Sequence, residues 1–508
     1  MRPLRIFGAY LLLFALLAAP WLAAAGSALP LSSAYAHDDT QLLTWIPWWV
    51  SHALLHHPQA LFDAPINYPA PAQLTGSEHF AGIQPLFLPV WLLTDNPVLA
   101  LNAVLFLLSY PLAALAMNRL LAAYGVSAGV ARVSGLVYAL GALQVPANVH
   151  LLHTLALYPP LAALALRALR ERPDRKHAIG LGTVLVLGFF TAYYTTALLL
   201  VMLLVCGVAE LRRPLPERRR FATTAALTVA VALALLAIAS RPYLARGALL
   251  AADGDIAQAR SISGLYLVYV VLSAGTLFGV APLLLGAAGI AALCERRVRG
   301  LAGVGLVLVG TSLALIVGGA FALHKLPPTP LGALLQAPFA FFRVSVRWTA
   351  ITGVGIALLA AALLEWARLR LPARATDALL VAVAGAVLLE RGSLLYRQAV
   401  DVPRALTSDA PVYRALAEVV RRDGAGPLLE MPISSFGHST QPDAMLGAIT
   451  HQQPLIVGHT GYQPPHRARL DETIARLPAE DALQDLVDMT HLRWIVAGGA
   501  ARKEEKNT

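Results

Sequence analysis

The sequence predicts an α-helical polytopic membrane protein with about eleven transmembrane helices and a small C-terminal α/β domain outside the membrane. Three observations predict it. Apolar residues make up 57% of the 508 and charged residues only 13%, against roughly 25% charged in a soluble chain. Apolar runs of spanning length recur from one end of the chain to the start of its last quarter. Near Ala399 the composition then turns polar and mixed.

The apolar runs fall near 6–30, 97–123, 128–147, 153–169, 178–192, 194–209, 221–242, 271–293, 301–323, 348–367 and 375–396, each of a length a helix needs to cross lipid. The first run follows Arg2 and Arg5 and ends before AYA at 34–36, a pattern shared with cleaved signal peptides. Its length and the many spans that follow favour an uncleaved first helix. The net charge of +10 would suggest a nucleic-acid partner in a soluble chain. Here the positive residues lie in short connectors between apolar runs, so membrane topology accounts for them and nucleic acid is not expected. Cys206 and Cys294 lie in or beside apolar runs and imply no disulfide framework.

The connectors set the orientation. RALRERPDRKH (167–177) and RRPLPERRR (212–220) each carry five Lys or Arg, and ERRVRG (295–300) and ARLRLPAR (367–374) carry three each. By the positive-inside rule all four are cytoplasmic. Residues 31–118 hold no Lys or Arg, which places the first long loop outside. Between 177 and 212 the chain must leave the cytoplasm and return, so two short helices should meet outside near Tyr193 and Tyr194. PLFLPVWLL (85–93) then has to be interfacial or re-entrant, because a full span there would invert every later basic loop. The N-terminus is expected inside and the C-terminal region outside. Arg far outnumbers Lys, and Ala and Leu abound, the coding bias of a GC-rich bacterium, so the expected location is a bacterial inner (cytoplasmic) membrane.

Residues 1–398 therefore read as one transmembrane bundle that includes a first outer loop at 31–96. Residues 399–500 read as the outer α/β domain and 501–508 as a solvated tail. Within 399–500, PVYRALAEVVRRDG is amphipathic at helical period, GPLLEMPI and LRWIVAGG read as strands, and DALQDLVDM reads as a helix.

The chemistry should face outward. The spans are almost free of ionisable residues away from their ends, which argues against an ion-coupled pump. All histidines but His177 fall on the expected outer side. In HDDTQLLTWIPWWVSHALLHH (37–57), Asp38 can cap a helix starting at Thr40, with Gln41 at the capping-box position. Trp45, Trp48 and Trp49 would then lie at the membrane interface. One of Asp38 and Asp39 can also act as a general base, or hold a divalent cation that neutralises a phosphate leaving group. Glu78 and His79 of GSEHF are a second acidic or metal-binding candidate, or an interfacial helix start. Arg343 and Arg347 of FFRVSVRW, at i and i+4 beside Phe341 and Phe342, sit where the chain re-enters the membrane from outside. There they can grip a lipid-borne phosphate, or snorkel. Arg241 and Arg246 are weaker candidates of that type. His150 and His153 could join a metal site, and His459, Tyr462 and His466 could line an acceptor groove; solvation and loop packing are the plainer readings.

Several stretches in order carry a resemblance over nearly the whole chain: HDDTQLLTWIPWW, LFDAPINYPAP, GSEHF, DNPVLALNAVLFLLSYPLAALAMNRLLA, LPPTPLGALLQAPFAFFRVSVRW, PVYRAL, LLEMPI and GHTGYQPP. Together they resemble the GT-C glycosyltransferase superfamily. The resemblance implies a sugar donor linked to polyprenyl phosphate, an unknown glycan, lipid or protein acceptor at the outer face, and transfer with inversion. It assigns Asp38 or Asp39 as base or metal ligand, a divalent cation being the only cofactor it raises. Arg343, Arg347, Glu78 and His79 then become the substrate- and phosphate-binding candidates. The rival reading is a non-catalytic membrane protein that scaffolds or moves lipid-linked glycans.

Overall fold

The structure, a computed structural model, describes residues 3–27, 37–141, 150–212, 214, 216–245, 278–323, 345–400, 411–433, 441–460 and 464–497. In chain order the helices up to residue 211 are α1 Pro3–Leu17, α2 His37–His56, α3 Gln84–Thr94, α4 Pro97–Ala123, α5 Ala128–Gly141, α6 Tyr158–Glu171, α7 Arg175–Thr191 and α8 Thr195–Leu211. They are followed by α9 Arg218–Ala239, α10 Val280–Gly289, α11 Arg299–Leu323, α12 Thr349–Arg368 and α13 Ala373–Tyr396. Among the described residues, Pro97–Ala123, Arg218–Ala239, Arg299–Ile316, Thr349–Arg368 and Ala373–Tyr396 are long and apolar enough to cross a membrane. α1, α5, α8 and α10 are shorter apolar helices. α3, with 11 residues, is only about 16 Å long at 1.5 Å per residue.

α12 is the centre of the bundle. It packs against α5, α10 and α11 and is buried along almost its whole length. A helix that other helices enclose this fully needs small residues at its contacts. Gly355 supplies one: a Cβ there would come within 2.7 Å of the Gly305 carbonyl and of Val309 Cγ2 on α11. The α11–α12 crossing therefore exists only because both positions lack a side chain.

Polar contacts gather at the two ends of the spans, as lipid requires. At one end Arg167 and Arg170 both bind Glu210 at 2.8 Å, and Arg170 also donates to the Pro214 carbonyl. The Arg167 guanidinium lies 5.4 Å from the centre of the Tyr124 ring. Ser127, three residues on, donates through its backbone N–H and its hydroxyl to Glu365, which Arg368 also holds. Arg370 lies 4.0 Å from Glu295. All four basic connectors thus meet at one end of the molecule. Arg347 sits just before the opposite end of α12, about 30 Å away for 20 helical residues. α7 and α8 run between the same two levels and break at residues 192–194, where the charge bookkeeping requires a turn.

Residues 411–497 hold helices α14 Pro411–Asp423, α15 Gln441–His451, α16 Arg467–Ala475 and α17 Glu480–Thr490, and strands β1 Leu428–Met431 and β2 Trp494–Ala497. The strands pair in parallel, Leu428 with Trp494 through Met431 with Ala497. On its other side β1 bonds the 454–456 segment, with Leu428 N donating to Pro454 O and Ile456 N to Leu428 O. That segment in turn takes up the loop after α2: Leu455 N donates to Pro65 O, and Tyr68 N to Leu455 O. The loop and the C-terminal unit share one ladder.

This junction corrects the interfacial reading of the tryptophan helix. Residues 41–50 are buried without interruption, because α15 covers α2. Trp45 is 0% exposed, and Trp48 and Trp49 are buried beside it. A helix buried on every face along this stretch belongs to a protein core, and the Trp49 indole N–H satisfies itself on the Leu61 carbonyl.

Gly355→Ala should lower stability by about 1–3 kcal/mol through overpacking, read as a drop in thermal midpoint in detergent. Gly303→Ala on α11, where a Cβ meets nothing within 4 Å, is the control expected to leave the midpoint unchanged or slightly raised.

Candidate functional site

The end of the bundle away from the basic connectors is built on the break between α7 and α8. α7 ends at Thr191, whose carbonyl accepts from Phe80 N at 3.1 Å. The Thr191 hydroxyl lies 2.5 Å from Tyr158 Oη, and Tyr158 in turn donates to the Gly82 carbonyl at 3.3 Å. Gly82 lies so close to the end of α7 that a Cβ would overlap the Leu187 carbonyl and Thr191. Phe80 takes a left-handed backbone, φ +49°, at a cost of roughly 1–2 kcal/mol for a residue with a side chain. Together these contacts pin the 77–83 segment to the helix break and aim residues 78 and 79 in different directions.

Glu78 meets Arg347, with Oε1 2.6 Å from Nη2. Both side chains are mostly buried, at 15% and 19% exposure. The Arg347 guanidinium also stacks on Tyr194, 4.0 Å from the ring centre, and the Tyr194 hydroxyl lies against Glu78. Arginine has five N–H donors in a planar fork. Arg347 Nε is buried with no hydrogen-bond partner among the described residues. An ion pair of this depth holds one charge of each sign and still leaves a donor that an anion could fill.

His79 points the other way, into a box of rings formed by Phe62, Phe189, Phe190 and Tyr243 at 5.5–6.2 Å between centres. Tyr193 extends the box, its ring tilted against Tyr243 at 5.4 Å between centres. Burial pushes the His79 pKa down to about 4, with the Phe190 backbone acting in the opposite direction. The ring is neutral at pH 7 and enclosed. His79 thus packs the loop among these rings, while its neighbour Glu78 carries the charge.

Asp38 and Asp39 lie in the first turn of α2, which starts at His37. The expected start at Thr40, with Asp38 as its cap, is therefore set three residues too late. Gln41 does not close a capping box; its Nε2 donates to Asp443 Oδ1 on α15. A helix start still suits carboxylates, since the macrodipole favours negative charge there. Farther along α2, Ser51 Oγ donates to Gln84 Oε1 at 2.6 Å, and Gln84 Nε2 to the Pro47 carbonyl at 3.0 Å. α2 is thereby fastened to the segment that follows Glu78 and His79.

The structure thus joins two sequence candidates, Glu78 and Arg347, that are far apart in the chain. Arg343, Arg246 and Tyr462 lie outside the described residues, as do the side chains of Asp38, Asp39, His150 and His153. Arg241 is exposed. His459 sits beside α15, its backbone N–H donating to Met445 Sδ. No group of three or more His, Cys, Asp or Glu that could hold a metal occurs among the described residues. Tyr194 and Tyr243 complete the site without having been candidates; the one signal for them was an aromatic pair, Tyr193 and Tyr194, at an enforced helix break.

Removing Arg347 alone (Arg347→Ala) should cost about 3 kcal/mol, because it strands a buried carboxylate. The Glu78→Ala/Arg347→Ala double variant should recover part of that loss. A coupling energy near zero in the resulting double-mutant cycle, measured by chemical unfolding in detergent, would mean the pair does not form.

No protein-family model and no curated protein matches the sequence. Among solved structures the chain is similar to arabinofuranosyltransferase AftD from Mycobacteria, with a TM-score of 0.60 at 17% identity over 97% of this chain and 35% of that one. A mutant form of the same enzyme gives 0.57 at 16%, over 96% and 36%. The apo oligosaccharyltransferase of Archaeoglobus fulgidus gives 0.53 at 11%, over 97% and 69%. The chain spans about a third of the length of the mycobacterial enzyme. The likeness shows that this chain shares the fold of these two transferase structures.

Proposed function

We propose that the protein is a membrane glycosyltransferase that moves a sugar from a polyprenyl-phosphate carrier to an acceptor hydroxyl at the outer face of a bacterial inner membrane. The observation that carries this reading is Arg347. On a GT-C-like bundle, it is a guanidinium at the end opposite the basic connectors, stacked on Tyr194 and holding an unfilled donor.

In the proposed reaction a carboxylate of the α2 first turn, Asp38 or Asp39, takes the proton of the acceptor hydroxyl. The oxygen attacks the anomeric carbon from the face opposite the phosphate. The C–O bond to the acceptor forms as the C–O bond to the carrier breaks, so configuration inverts and polyprenyl phosphate leaves. Arg347, with Arg343 four residues earlier, takes up the phosphate's charge, where a planar fork outperforms a point charge. Glu78 holds the Arg347 guanidinium on Tyr194 while no phosphate is bound, and His79 fixes the loop that carries Glu78. Positioning and charge neutralisation supply most of the acceleration.

The test is sugar transfer from labelled polyprenyl-phosphate sugars in membranes that overexpress the protein. Loss of either required base, by Asp38→Asn or Asp39→Asn, should lower the rate at least ~100-fold at equal protein level. Arg347→Lys should weaken use of the donor more than that of the acceptor. Full transfer by the Asp38→Asn/Asp39→Asn double variant would refute this mechanism and favour a non-catalytic role with lipid-linked glycans.

A further inference from the structure

Gln41 and Asp443 are 402 residues apart, yet their side chains meet in the buried contact between α2 and α15. Gln41 is one turn along from Asp38. Asp443 lies near the start of α15, and its own surroundings are built with care. Tyr413 of α14 lies across α15, with its hydroxyl 3.0 Å from Glu430 Oε1 and 3.3 Å from the Asp443 carbonyl. The approach is so close that a Cβ on Gly447 would overlap the tyrosine ring. His451, at the far end of α15, flanks the same ring at 5.9 Å. The groups facing Glu430 are therefore Tyr413 from α14 and Asp443 from α15, while β2 offers it only Val496 as a strand partner.

We propose that Asp443 is a positioning residue. Through Gln41 it fixes the first turn of α2, and so the placement of Asp38 and Asp39, while Tyr413 and Glu430 hold the start of α15 beneath it. The C-terminal unit then sets the register of the first-loop carboxylates. The catalytic half of this inference rests on the transferase reading above; the structural half does not. The other tie between the two regions, the ladder at Leu455, grips the loop at Pro65 and Tyr68, some 25 residues beyond the carboxylates in the chain.

The arrangement carries a pH dependence. Burial pushes the Glu430 carboxyl up to about 7; Tyr413 donation acts against that rise and Asp443 adds to it. A carboxyl raised in the folded state binds more protons there than in the unfolded chain. Its contribution is therefore complete below the unfolded value near 4.3 and is lost as pH rises through about 7. The grip on α2 should loosen above neutrality, when Glu430 ionises beside Asp443.

The experiment uses full-length protein in lipid nanodiscs and two readouts. Hydrogen exchange follows the amides of residues 42–46, whose helical bonds close on the carbonyls of residues 38–42 at the start of α2. Steady-state transfer gives kcat and KM for the labelled donor. Asp443→Ala should speed exchange at 42–46 severalfold, with α12 unchanged, and lower kcat about tenfold with KM held within twofold, the signature of misplaced rather than missing chemistry. Asp443→Asn keeps an acceptor for Gln41 and should restore both. In wild type the exchange, corrected for its intrinsic pH dependence, should rise through pH 7; in Glu430→Gln that rise should vanish. Unchanged exchange in Asp443→Ala, or an Asn variant as impaired as the Ala variant, would overturn the proposal. If Asp443→Ala does not fold, Gln41→Leu tests the same bond from the other side. A wild type that transfers nothing would count against the transferase reading, while the exchange arm still decides whether Asp443 holds α2.

Discussion

A guanidinium at the edge of lipid is tolerable only with its charge met, and Arg347 has its charge met by Glu78 across 2.6 Å, with Tyr194 as a lid on one face. Much of this end of the bundle follows from satisfying that contact. Glu78 reaches Arg347 because the 77–83 segment hangs from the end of α7, and α7 ends there because the chain has to turn back. Arg347 reaches Glu78 because it immediately precedes α12, the helix around which the bundle is packed. Coulomb attraction between two largely dehydrated groups is strong, but so is the cost of dehydrating them. Such a pair is better at fixing geometry than at adding net stability.

The same economy governs the first outer loop. α2 buries three tryptophans together with Gln41, Thr44 and Ser51, a mixture that neither lipid nor water solvates well. The C-terminal unit resolves it by laying α15 over the apolar surface and placing Asp443 where Gln41 needs a partner. The ladder through Leu455 adds backbone hydrogen bonds to the junction, and Asn67 Oδ1 accepts from Gly458 N at 2.8 Å. Gly458 is required there because a Cβ would press into Ile66. A C-terminal unit tied in at a helix and at a ladder cannot move without moving α2, whose first turn carries the carboxylates.

What the sequence disclosed, and what it hid, follows from the range of the forces involved. Charge counting across 177–212 forced a helix break at residues 192–194, and local period gave the helices and strands of 411–497; both are short-range signals. Glu78 and Arg347 were each visible as a charge in an unusual place. Their pairing was not, because 269 positions separate them and neither carries a mark of the other. The tryptophan helix was misjudged for the same reason: Trp45, Trp48 and Trp49 suit an interface by chemistry, and only α15, some 400 residues on, makes them core. The setting of His79 was hidden because most of its ring cage, Phe189, Phe190 and Tyr243, comes from far along the chain, with only Phe62 nearby. The helix start at His37 was missed because Asp38 and Gln41 fit a capping box, and nothing local reveals that Gln41 is already committed to Asp443.

The Glu78–Arg347 pair also bears on how a phosphate would be chosen. A free guanidinium at the membrane surface would attract any anionic headgroup, and such lipids vastly outnumber a rare sugar carrier. With Glu78 in place the net charge of the pair is near zero, so long-range attraction is weak. A ligand gains only if it fills the open Nε or displaces the carboxylate. A monoanionic phosphodiester that also brings a sugar to the aromatic side of the site has more contacts with which to do so than a headgroup that brings none. Selectivity then comes from what the incoming phosphate carries with it, which is how discrimination arises whenever each competitor offers the same charge.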